Sequence, residues 1–349
     1  MATWLDRLIE GKAHVSELKS RLVIRLCLRA ETGFLPGAGV EPGTSLKRLV
    51  TVKLAHNKRE VPVLLASSLR GALRAISERL ARTDPSAFTS TEAELKAVEL
   101  HYEAPGKPLR HRGPDNKLRE QEETLIEVLR ALGLEGLELE RLSQLAIMLG
   151  MSPDDVTEFV DSLSKAGHER LPDIKSLSER EKAFVAEVAD RCLAMCCPIC
   201  RLYGAPGLAG KLRAVDGLPR EHDIRISVRA HVGIDRASGT HREDILYQEE
   251  VIEPGHTFTA YLIIDNIEPG SSEARLLAST LEFILKLGLK LGSSKSRGLG
   301  LLKLDDRSSI AWLCSFEDRS REEALDMLID PSKGEKLSLE ELIDRLRAS

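Results

Sequence analysis

Apolar side chains occupy every second position over residues 21–30, RLVIRLCLRA, and arginines occupy three of the five positions between them. The even positions from Leu22 to Leu28 are apolar, and Arg21, Arg25 and Arg29 occupy odd positions. A period of two is typical of a strand with one buried and one open face, so the open face of this strand is expected to be basic. The same pattern predicts strands over 222–235 and 256–265, and shorter runs predict strands over 48–55, 61–66 and 301–306.

Other parts of the chain follow the period of an α-helix. Apolar residues recur at helical spacing over 67–82, 122–134, 153–167, 178–195, about 272–291 and the C-terminal SLEELIDRLRAS. A serine followed three residues later by a glutamate forms a capping box, which predicts helix starts at Ser178 and Ser338. The helix from about 272 is expected to end at Gly292, because glycine is common just after a helix.

The order of these elements predicts the fold class. It reads strand, long glycine- and proline-rich loop, strand, helix, helical insertion, strand, projecting hairpin, strand, helix, glycine-rich loop and strand. Without the insertion this is an α+β arrangement of ferredoxin-like, or RNA-recognition-like, type. We divide the chain into the first part of this core (1–89), a helical insertion (90–195), a cysteine knuckle with the second part of the core and the hairpin (196–305), and a C-terminal helical tail (306–349).

Composition narrows the class of protein. The chain has 349 residues and a net charge of −5, a balance that neither demands nor excludes a nucleic-acid partner. No apolar run reaches the roughly 18 residues that span a membrane, so we expect a cytoplasmic protein. With 2 Trp, 4 Tyr and 7 Phe, an aromatic stacking platform for bases is poorly supported. No feature points to a small-molecule substrate.

The cysteines are the most specific chemical signal. Four of the six lie within nine residues, namely Cys192, Cys196, Cys197 and Cys200. In a reducing compartment such clustering favours a metal site over disulfides, and Cys197-Pro-Ile-Cys200 has the spacing of a zinc knuckle. His101 or His111 is a candidate to replace one cysteine in a structural zinc site. The alternative is a set of reduced, buried cysteines.

Basic residues recur beside glycines. The segment GSSKSRGLG (292–300) carries Lys295, Ser296 and Arg297, and its glycines let a backbone pass close to a phosphate. The alternative is a helix end followed by a tight turn. Further basic residues fall after a serine pair, after the cysteines and on a strand; these are Arg70, Arg74, Lys211, Arg213, Arg225 and Arg229. Together with Arg25, they are expected to follow a sugar-phosphate backbone.

Four segments resemble the RAMP superfamily, and within it the repeating backbone subunit of type III CRISPR effector complexes of the Csm type. VPVLLASSLRGALR is similar to the family's I-P-G-S-S-L-K-G-x-L-R, and CPICRLYGAPGLAGKLRAVDG to its C-x-x-C-x-L-F-G segment with a basic stretch ending in Asp. VGIDRASGTHREDILYQEEVIEPGHTF resembles its thumb hairpin, and LGSSKSRGLGLLKL its glycine-rich loop. The likeness covers most of residues 20–305.

The resemblance implies an RNA-recognition-like core with helical, lid and thumb elements. It also implies self-association along a single-stranded guide RNA, a target RNA paired with that guide, and other subunits of the complex as partners. By position, Ser67, Ser68, Arg70 and Arg74 would lie near guide phosphates, as would Lys295 and Arg297. The hairpin around 236–250, with its tip at Ala237 to Thr240, would wedge beside the guide–target duplex.

One departure bears on catalysis. Cutting members of the family use an aspartate in the loop after the first strand, but residues 31–60 contain no Asp and offer Glu31, Glu41 and Glu60. We therefore expect RNA binding without efficient target cleavage, and zinc as a tie between insertion and core.

The sequence is also compatible with rival hypotheses. One is a target-slicing endoribonuclease that uses Glu31 or Glu41. Another is a guide-processing enzyme with a histidine base, for which the sequence offers His14, His56 and His231 without pairing them. A third is a purely structural scaffold.

Overall fold

The computed structural model describes residues 17–40, 47–56, 59–102, 110–111, 122–235 and 237–348. The strands in these ranges are β1 (Ser20–Ala30), β2 (Gly37–Val40), β3 (Lys47–Thr51), β4 (Lys53–His56), β5 (Arg59–Pro62), β6 (His101–Tyr102), β7 (Arg110–His111), β8 (Leu212–Pro219), β9 (Ile226–Ile234), β10 (His241–Ile252), β11 (Thr257–Asp265), β12 (Leu289–Lys290), β13 (Leu301–Leu304), β14 (Ile310–Ser315) and β15 (Glu335–Ser338). The α-helices are α1 (Ala66–Thr83), α2 (Glu92–Glu99), α3 (Glu122–Ala131), α4 (Leu139–Met148), α5 (Pro153–Lys165), α6 (Glu179–Cys196), α7 (Pro198–Tyr203), α8 (Ser272–Leu287), α9 (Arg321–Ile329) and α10 (Leu339–Arg347). Within the described ranges, no helix is both long and apolar enough to cross a bilayer.

The main sheet has the ferredoxin-like strand order. Its central strands run β13–β1–β11–β8, and each neighbouring pair is antiparallel. In chain order the core is β1, α1, β8, β11, α8 and β13, which is the βαββαβ unit with its strands in the spatial order 4-1-3-2. The predicted α+β, ferredoxin-like fold class is therefore confirmed.

The alternation in β1 separates a buried face from a basic face. Leu22 lies opposite Ile264 of β11 and Leu28 opposite Phe258, and these side chains are fully buried. Leu69 and Leu73 of α1, together with Leu277 and Leu281 of α8, belong to the same core. On the other face of β1, the arginines are partly or fully exposed, whereas Val23 and Cys27 are buried.

The predicted hairpin belongs to a second sheet. Strands β9 and β10 pair antiparallel, and β10 also pairs in parallel with β3, which gives the order β2–β3–β10–β9 among the described residues. The turn between the two long strands is held by Asp235, whose Oδ1 accepts hydrogen bonds from the backbone N–H of Ala237 at 2.8 Å and of Ser238 at 2.9 Å.

Helices α2 to α6 occupy the stretch that the sequence marks as an insertion, and the capping box at Ser178 is present. A buried ion network joins the insertion to the core. Arg201 of α7 contacts Glu94 of α2 at 2.7 Å and Glu273 of α8 at 2.8 Å. This network means that the insertion and the core are tied by charge as well as by apolar packing.

Two sequence-based expectations differ from the structure. The helix predicted to end at Gly292 ends at Gly288, which has a φ of 79° and leaves no room for a Cβ, because one would lie 2.7 Å from the carbonyl oxygen of Leu302. The stretch expected to be a helical tail also contains strands β14 and β15. Strand β14 pairs with β1 and extends the main sheet, so this part of the chain belongs to the core.

Candidate metal centre and nucleic-acid surface

Three of the predicted metal ligands lie together in the interior. His101 of β6, Cys197 between α6 and α7, and Cys200 of α7 each offer a ligand atom, and these atoms lie within 4.8 Å of one another. All three side chains are buried. The knuckle is short because α7 begins at Pro198, a residue that suits the first position of a helix.

The distances between these atoms fit one metal ion. The Nδ1 atom of His101 lies 3.5 Å from Sγ of Cys197 and 3.6 Å from Sγ of Cys200. Zinc bonds of about 2.3 Å to sulfur and about 2.0–2.1 Å to nitrogen, at a tetrahedral angle, place nitrogen and sulfur about 3.6 Å apart. The donor set of two thiols and an imidazole is the kind that zinc prefers, so these residues could hold a zinc ion.

The pKa values of two residues in this buried group are shifted from their usual ranges. Burial opposes the protonation of His101, but its hydrogen bonds to Cys197 and Glu78 outweigh burial and raise its pKa to about 9. The hydrogen bond to Cys197 and burial both raise the pKa of Cys200. The ring of His101 therefore bridges a buried thiol pair and a buried carboxylate.

The other expected ligands are placed differently. Cys192 and Cys196 are buried on α6, but neither belongs to the group of close ligand atoms. Burial raises the pKa of both thiols. His111 pairs with His101 through the backbone of β6 and β7, and its side chain lies outside the described part of the structure. The structure thus brings together three of the six candidate ligands.

Arg70 and Arg74 lie four residues apart on α1 and face the segment after the cysteine knuckle. The Nη2 group of Arg70 donates a hydrogen bond to the carbonyl oxygen of Tyr203. The Nη1 atom of Arg74 lies 3.4 Å from the carbonyl oxygen of Gly204. The Nε–H of Arg74 is donated to Glu78 at 2.9 Å. Glu78 was not predicted from the sequence to be a site residue. Its position four residues after Arg74 on a predicted helix was nevertheless a signal that the two side chains form an ion pair.

The start of α1 is exposed, as a phosphate contact requires. Ser67 and Ser68 lie in the first turn, and both are exposed. The backbone N–H of Ala66 donates to Oδ1 of Asp216 in β8 at 2.6 Å. The aspartate at the end of the basic stretch after the cysteines therefore holds the start of this helix beside the sheet.

The glycine-rich loop places its basic residues at the surface. Lys295, Ser296 and Arg297 form an exposed 3-10 turn. The guanidinium of Arg297 donates to the hydroxyl of Tyr247 in β10 and lies 5.5 Å from the centre of its ring. The loop also bonds to the segment after β1, because the N–H of Ser293 donates to the carbonyl of Leu35 at 3.0 Å.

The structure pairs one histidine that the sequence left unpaired. His231 of β9 stacks on Tyr247 with ring centres 5.0 Å apart, and its Nε2 lies 3.1 Å from Oε2 of Glu249. The side chain of Glu249 is 1% exposed, and its Oε1 accepts a hydrogen bond from Ser294 at 2.7 Å. A His–Glu–Tyr–Arg cluster thus borders the glycine-rich loop. His14 lies outside the described residues, as does the side chain of His56.

Two basic residues lie on the open face of the main sheet. Arg25 donates to the carbonyl oxygen of Ser308 at 3.1 Å, and its guanidinium lies 5.6 Å from the ring centre of Trp312. Arg213 is exposed and pairs with Asp265, which also accepts a hydrogen bond from Arg21 at 2.8 Å. This face therefore presents partly neutralised positive charge beside a tryptophan.

Arg225 is also exposed and lies just before β9, with Nε 3.5 Å from Glu253. The predicted nucleic-acid residues thus fall in separate groups on α1, on the glycine-rich loop, on the open sheet face and at the foot of the hairpin.

The prediction that Lys211 lies on the RNA-binding surface is wrong, because the residue is buried. It is 8% exposed, and its ammonium donates to Oε1 of Glu273 at 2.7 Å and to the carbonyl oxygen of Asn266 at 2.8 Å. A phosphate could reach this lysine only by breaking a buried ion pair. The residue therefore stabilises the junction of β8 and α8, and we leave it out of the proposed RNA surface.

The acidic candidates for cleavage are spread out. Glu31 follows β1 directly and is exposed, and Glu60 is exposed in β5. Glu41 lies outside the described residues. Neither Glu31 nor Glu60 belongs to a group of three or more close metal-ligating atoms among the described residues.

Comparisons with known proteins agree with this geometry. A family model described as the RAMP superfamily matches residues 28–303, which include the end of the first strand, the cysteine knuckle, the hairpin and the glycine-rich loop. A search of curated proteins finds no match.

Proposed function

The chain belongs to the RAMP superfamily, and we propose that it is the repeating, guide-holding backbone subunit of a type III CRISPR interference complex. Membership of the superfamily suggests a CRISPR-associated role in RNA binding. The more specific role, as backbone subunit of a type III complex, is our proposal. The observation that carries it is the glycine-rich loop, which exposes Lys295 and Arg297 beside the hairpin sheet.

The proposed contact is with the sugar-phosphate backbone of single-stranded RNA. Lys295, Arg213 and Arg225 are exposed cations, and cations that neutralise phosphates bind without reading bases. Ser67 and Ser68 add hydroxyl donors on an exposed helix start. Binding is therefore expected to be independent of sequence and strongly weakened by salt.

The remaining partners follow from the same role. Copies of the chain would lie side by side along the guide, with other subunits of the complex at the ends. The hairpin of β9 and β10, with its exposed tip at Ala237 to Thr240, would wedge beside the duplex of guide and target RNA. A bound zinc ion, held by His101, Cys197 and Cys200, would fix the knuckle between insertion and core.

We propose that this subunit does not cut its target efficiently. A divalent ion that activates cleavage is normally held by carboxylates placed at the scissile phosphate. The loop after β1 lacks aspartate, and Glu31 is an exposed carboxylate with a longer side chain.

The proposal is tested by binding of end-labelled single-stranded RNA to purified variants at several salt concentrations. Arg70→Ala and Lys295→Ala are each expected to weaken binding for all RNA sequences alike and to reduce the slope of log K against log salt by about 1. Arg180→Ala, which removes an exposed arginine of the insertion, is the matched control and should leave binding unchanged. Equal binding by all three variants would favour a protein-binding scaffold.

The cluster at His231 favours a second candidate function, metal-independent RNA cleavage. The Nε2 edge of His231 faces Glu249, so Nδ1 is the atom that would take the proton of a ribose 2′-hydroxyl. The 2′-oxygen would then attack the adjacent phosphorus, while the 5′-oxygen leaves and takes a proton from water.

The products of this reaction are a 2′,3′-cyclic phosphate and a 5′-hydroxyl. Such fragments without added metal, lost in His231→Ala with binding retained, would favour cleavage over the holding role.

A further inference from the structure

The metal-binding group and the arginines of α1 share one carboxylate. Oε1 of Glu78 accepts the Nε–H of Arg74 at 2.9 Å, and Nε2 of His101 lies 3.1 Å from the same oxygen. The side chain of Glu78 is 8% exposed and that of His101 is fully buried. The contact is therefore shielded from water, where a charge-assisted hydrogen bond holds its geometry most firmly.

The histidine connects this carboxylate to the thiols. Its Nδ1 faces Cys197 and Cys200, while its Nε2 faces Glu78. When Nδ1 is a metal ligand, the remaining ring proton is on Nε2 and is donated to the carboxylate, an arrangement that fixes the ring of many metal-binding histidines. Glu78 thus has two fixed neighbours, of which one is a candidate ligand and the other an arginine.

A second connection runs along the backbone. Helix α7 leads directly from the cysteines to Tyr203 and Gly204, whose carbonyl oxygens accept hydrogen bonds from Arg70 and Arg74. The hydroxyl of the fully buried Tyr203 lies 2.9 Å from Oγ of Ser77, on the same helix as the arginines. Movement of the knuckle would therefore move the carbonyl groups that orient both guanidinium groups.

Both arginines border an open depression. It has a volume of about 440 Å³ and is lined by Arg70, Arg74, Tyr203 and residues 204–206 and 208–210. The Nη2 atom of Arg74 is buried without a hydrogen-bond partner among the described residues. A buried donor without a partner costs free energy, so a phosphate oxygen that reached Nη2 would gain a hydrogen bond that the protein itself does not make.

Taken together, these contacts lead us to propose that Glu78 is a positioning residue, through which the metal centre holds Arg74 ready for an RNA phosphate. Metal occupancy then controls the affinity for RNA as well as the stability of the knuckle. The inference rests on the proposed RNA-binding function, because it explains how one residue of the RNA-binding surface, Arg74, is held in position.

The test compares Glu78→Gln with Arg74→Ala and the double variant in RNA binding. Glutamine keeps the size of the side chain but removes its charge. Each single variant is expected to weaken binding about tenfold, which corresponds to about 1.4 kcal/mol, and the double variant no more than either single one. Such non-additivity is the mark of two residues that act through one contact. The bound metal, measured by elemental analysis, should remain in Arg74→Ala.

Glu158→Gln is the control, because it breaks an exposed arginine–glutamate pair of the insertion that has no contact with the metal group. A second arm removes metal from the wild-type protein with a chelator and then restores it with zinc. RNA affinity should fall about tenfold and recover, while chelation should leave Arg74→Ala unaffected. This arm does not require any variant of Glu78 to fold.

The outcomes separate this inference from the proposed function. Wild-type affinity in both Glu78→Gln and the metal-free protein, with a loss in Arg74→Ala, would overturn the positioning role and leave RNA binding intact. Additive losses in the double variant would also overturn it. Absence of RNA binding by the metal-loaded wild-type protein would instead overturn the proposed function itself.

Discussion

The ammonium of Lys211 lies 2.7 Å from Oε1 of Glu273 in the interior of the protein. The same carboxylate lies 2.8 Å from Arg201 through its other oxygen. Burial opposes ionisation of Glu273, but the two cations outweigh it and lower the pKa of this carboxyl. Lys211, which follows a glycine-rich segment in the sequence, is thus a structural ion-pair partner of Glu273.

We predict that Lys211→Ala lowers stability and leaves the RNA affinity of the folded protein unchanged. Removing one partner of a buried ion pair costs about 3–5 kcal/mol when the other charge is left unpaired. Arg201 still contacts Glu273 in this variant, so we expect a loss at the lower end of that range, about 3 kcal/mol. Thermal unfolding followed by circular dichroism should show a midpoint lowered by several degrees. Lys295→Ala, at an exposed lysine, should change stability by less than about 0.5 kcal/mol. A loss of RNA affinity in a fully folded Lys211→Ala protein would contradict the assignment.

Metal content should follow the group of close ligand atoms. We expect purified protein to carry one zinc ion per chain, and we expect His101→Ala and Cys200→Ser to lose it, since each removes one of three convergent donors. Cys192→Ser should keep the metal, because its thiol is not in the group. Elemental analysis of the three variants checks this, and full zinc content in Cys200→Ser would contradict it.

Arg297 and Tyr247 should contribute to RNA affinity together. The guanidinium lies over the ring of Tyr247, so the ring fixes the direction of an exposed charge. We predict that Tyr247→Ala weakens RNA binding several-fold, while Tyr247→Phe, which keeps the ring, has a smaller effect. Arg297→Lys should lose part of the affinity, because lysine lacks the planar group that stacks on a ring. Fluorescence anisotropy of labelled RNA measures these differences, and equal affinity in Tyr247→Ala and wild type would count against the stacked arginine.

Target RNA should remain intact in the presence of magnesium. The reason is the absence of aspartate from residues 31–60, together with the exposed position of Glu31. Incubation of guide-loaded protein with a complementary labelled target, followed by a denaturing gel, checks this expectation. Magnesium-dependent fragments that disappear in Glu31→Gln would show that this glutamate does support cleavage.

Local patterns predicted the core well. The alternation in β1 predicted its buried face and the position of its arginines, because the period of side chains along a strand is fixed by backbone geometry. The open face is only partly open, since Val23 and Cys27 on that face are buried. The capping boxes predicted at Ser178 and Ser338 are both present. They could be predicted because each depends only on two residues three positions apart. Neither prediction required knowledge of the tertiary structure.

Contacts between distant residues could not be predicted in this way. His101 lies 96 positions before Cys197, so the sequence could name it as a candidate but not exclude His111. Lys211 and Glu273 are 62 positions apart, and the local sequence around Lys211 gives no sign of burial. The pairing of His231 with Glu249 depends on the register of β9 and β10.

The most direct test of the central claim is a titration of the wild-type protein with end-labelled single-stranded RNAs of unrelated sequence, alongside duplex DNA, at increasing salt. We predict that every RNA is bound with similar affinity, that binding falls steeply with salt, and that the bound RNA is recovered intact. Failure to bind single-stranded RNA, or binding restricted to one sequence, would contradict the proposed role in holding guide RNA.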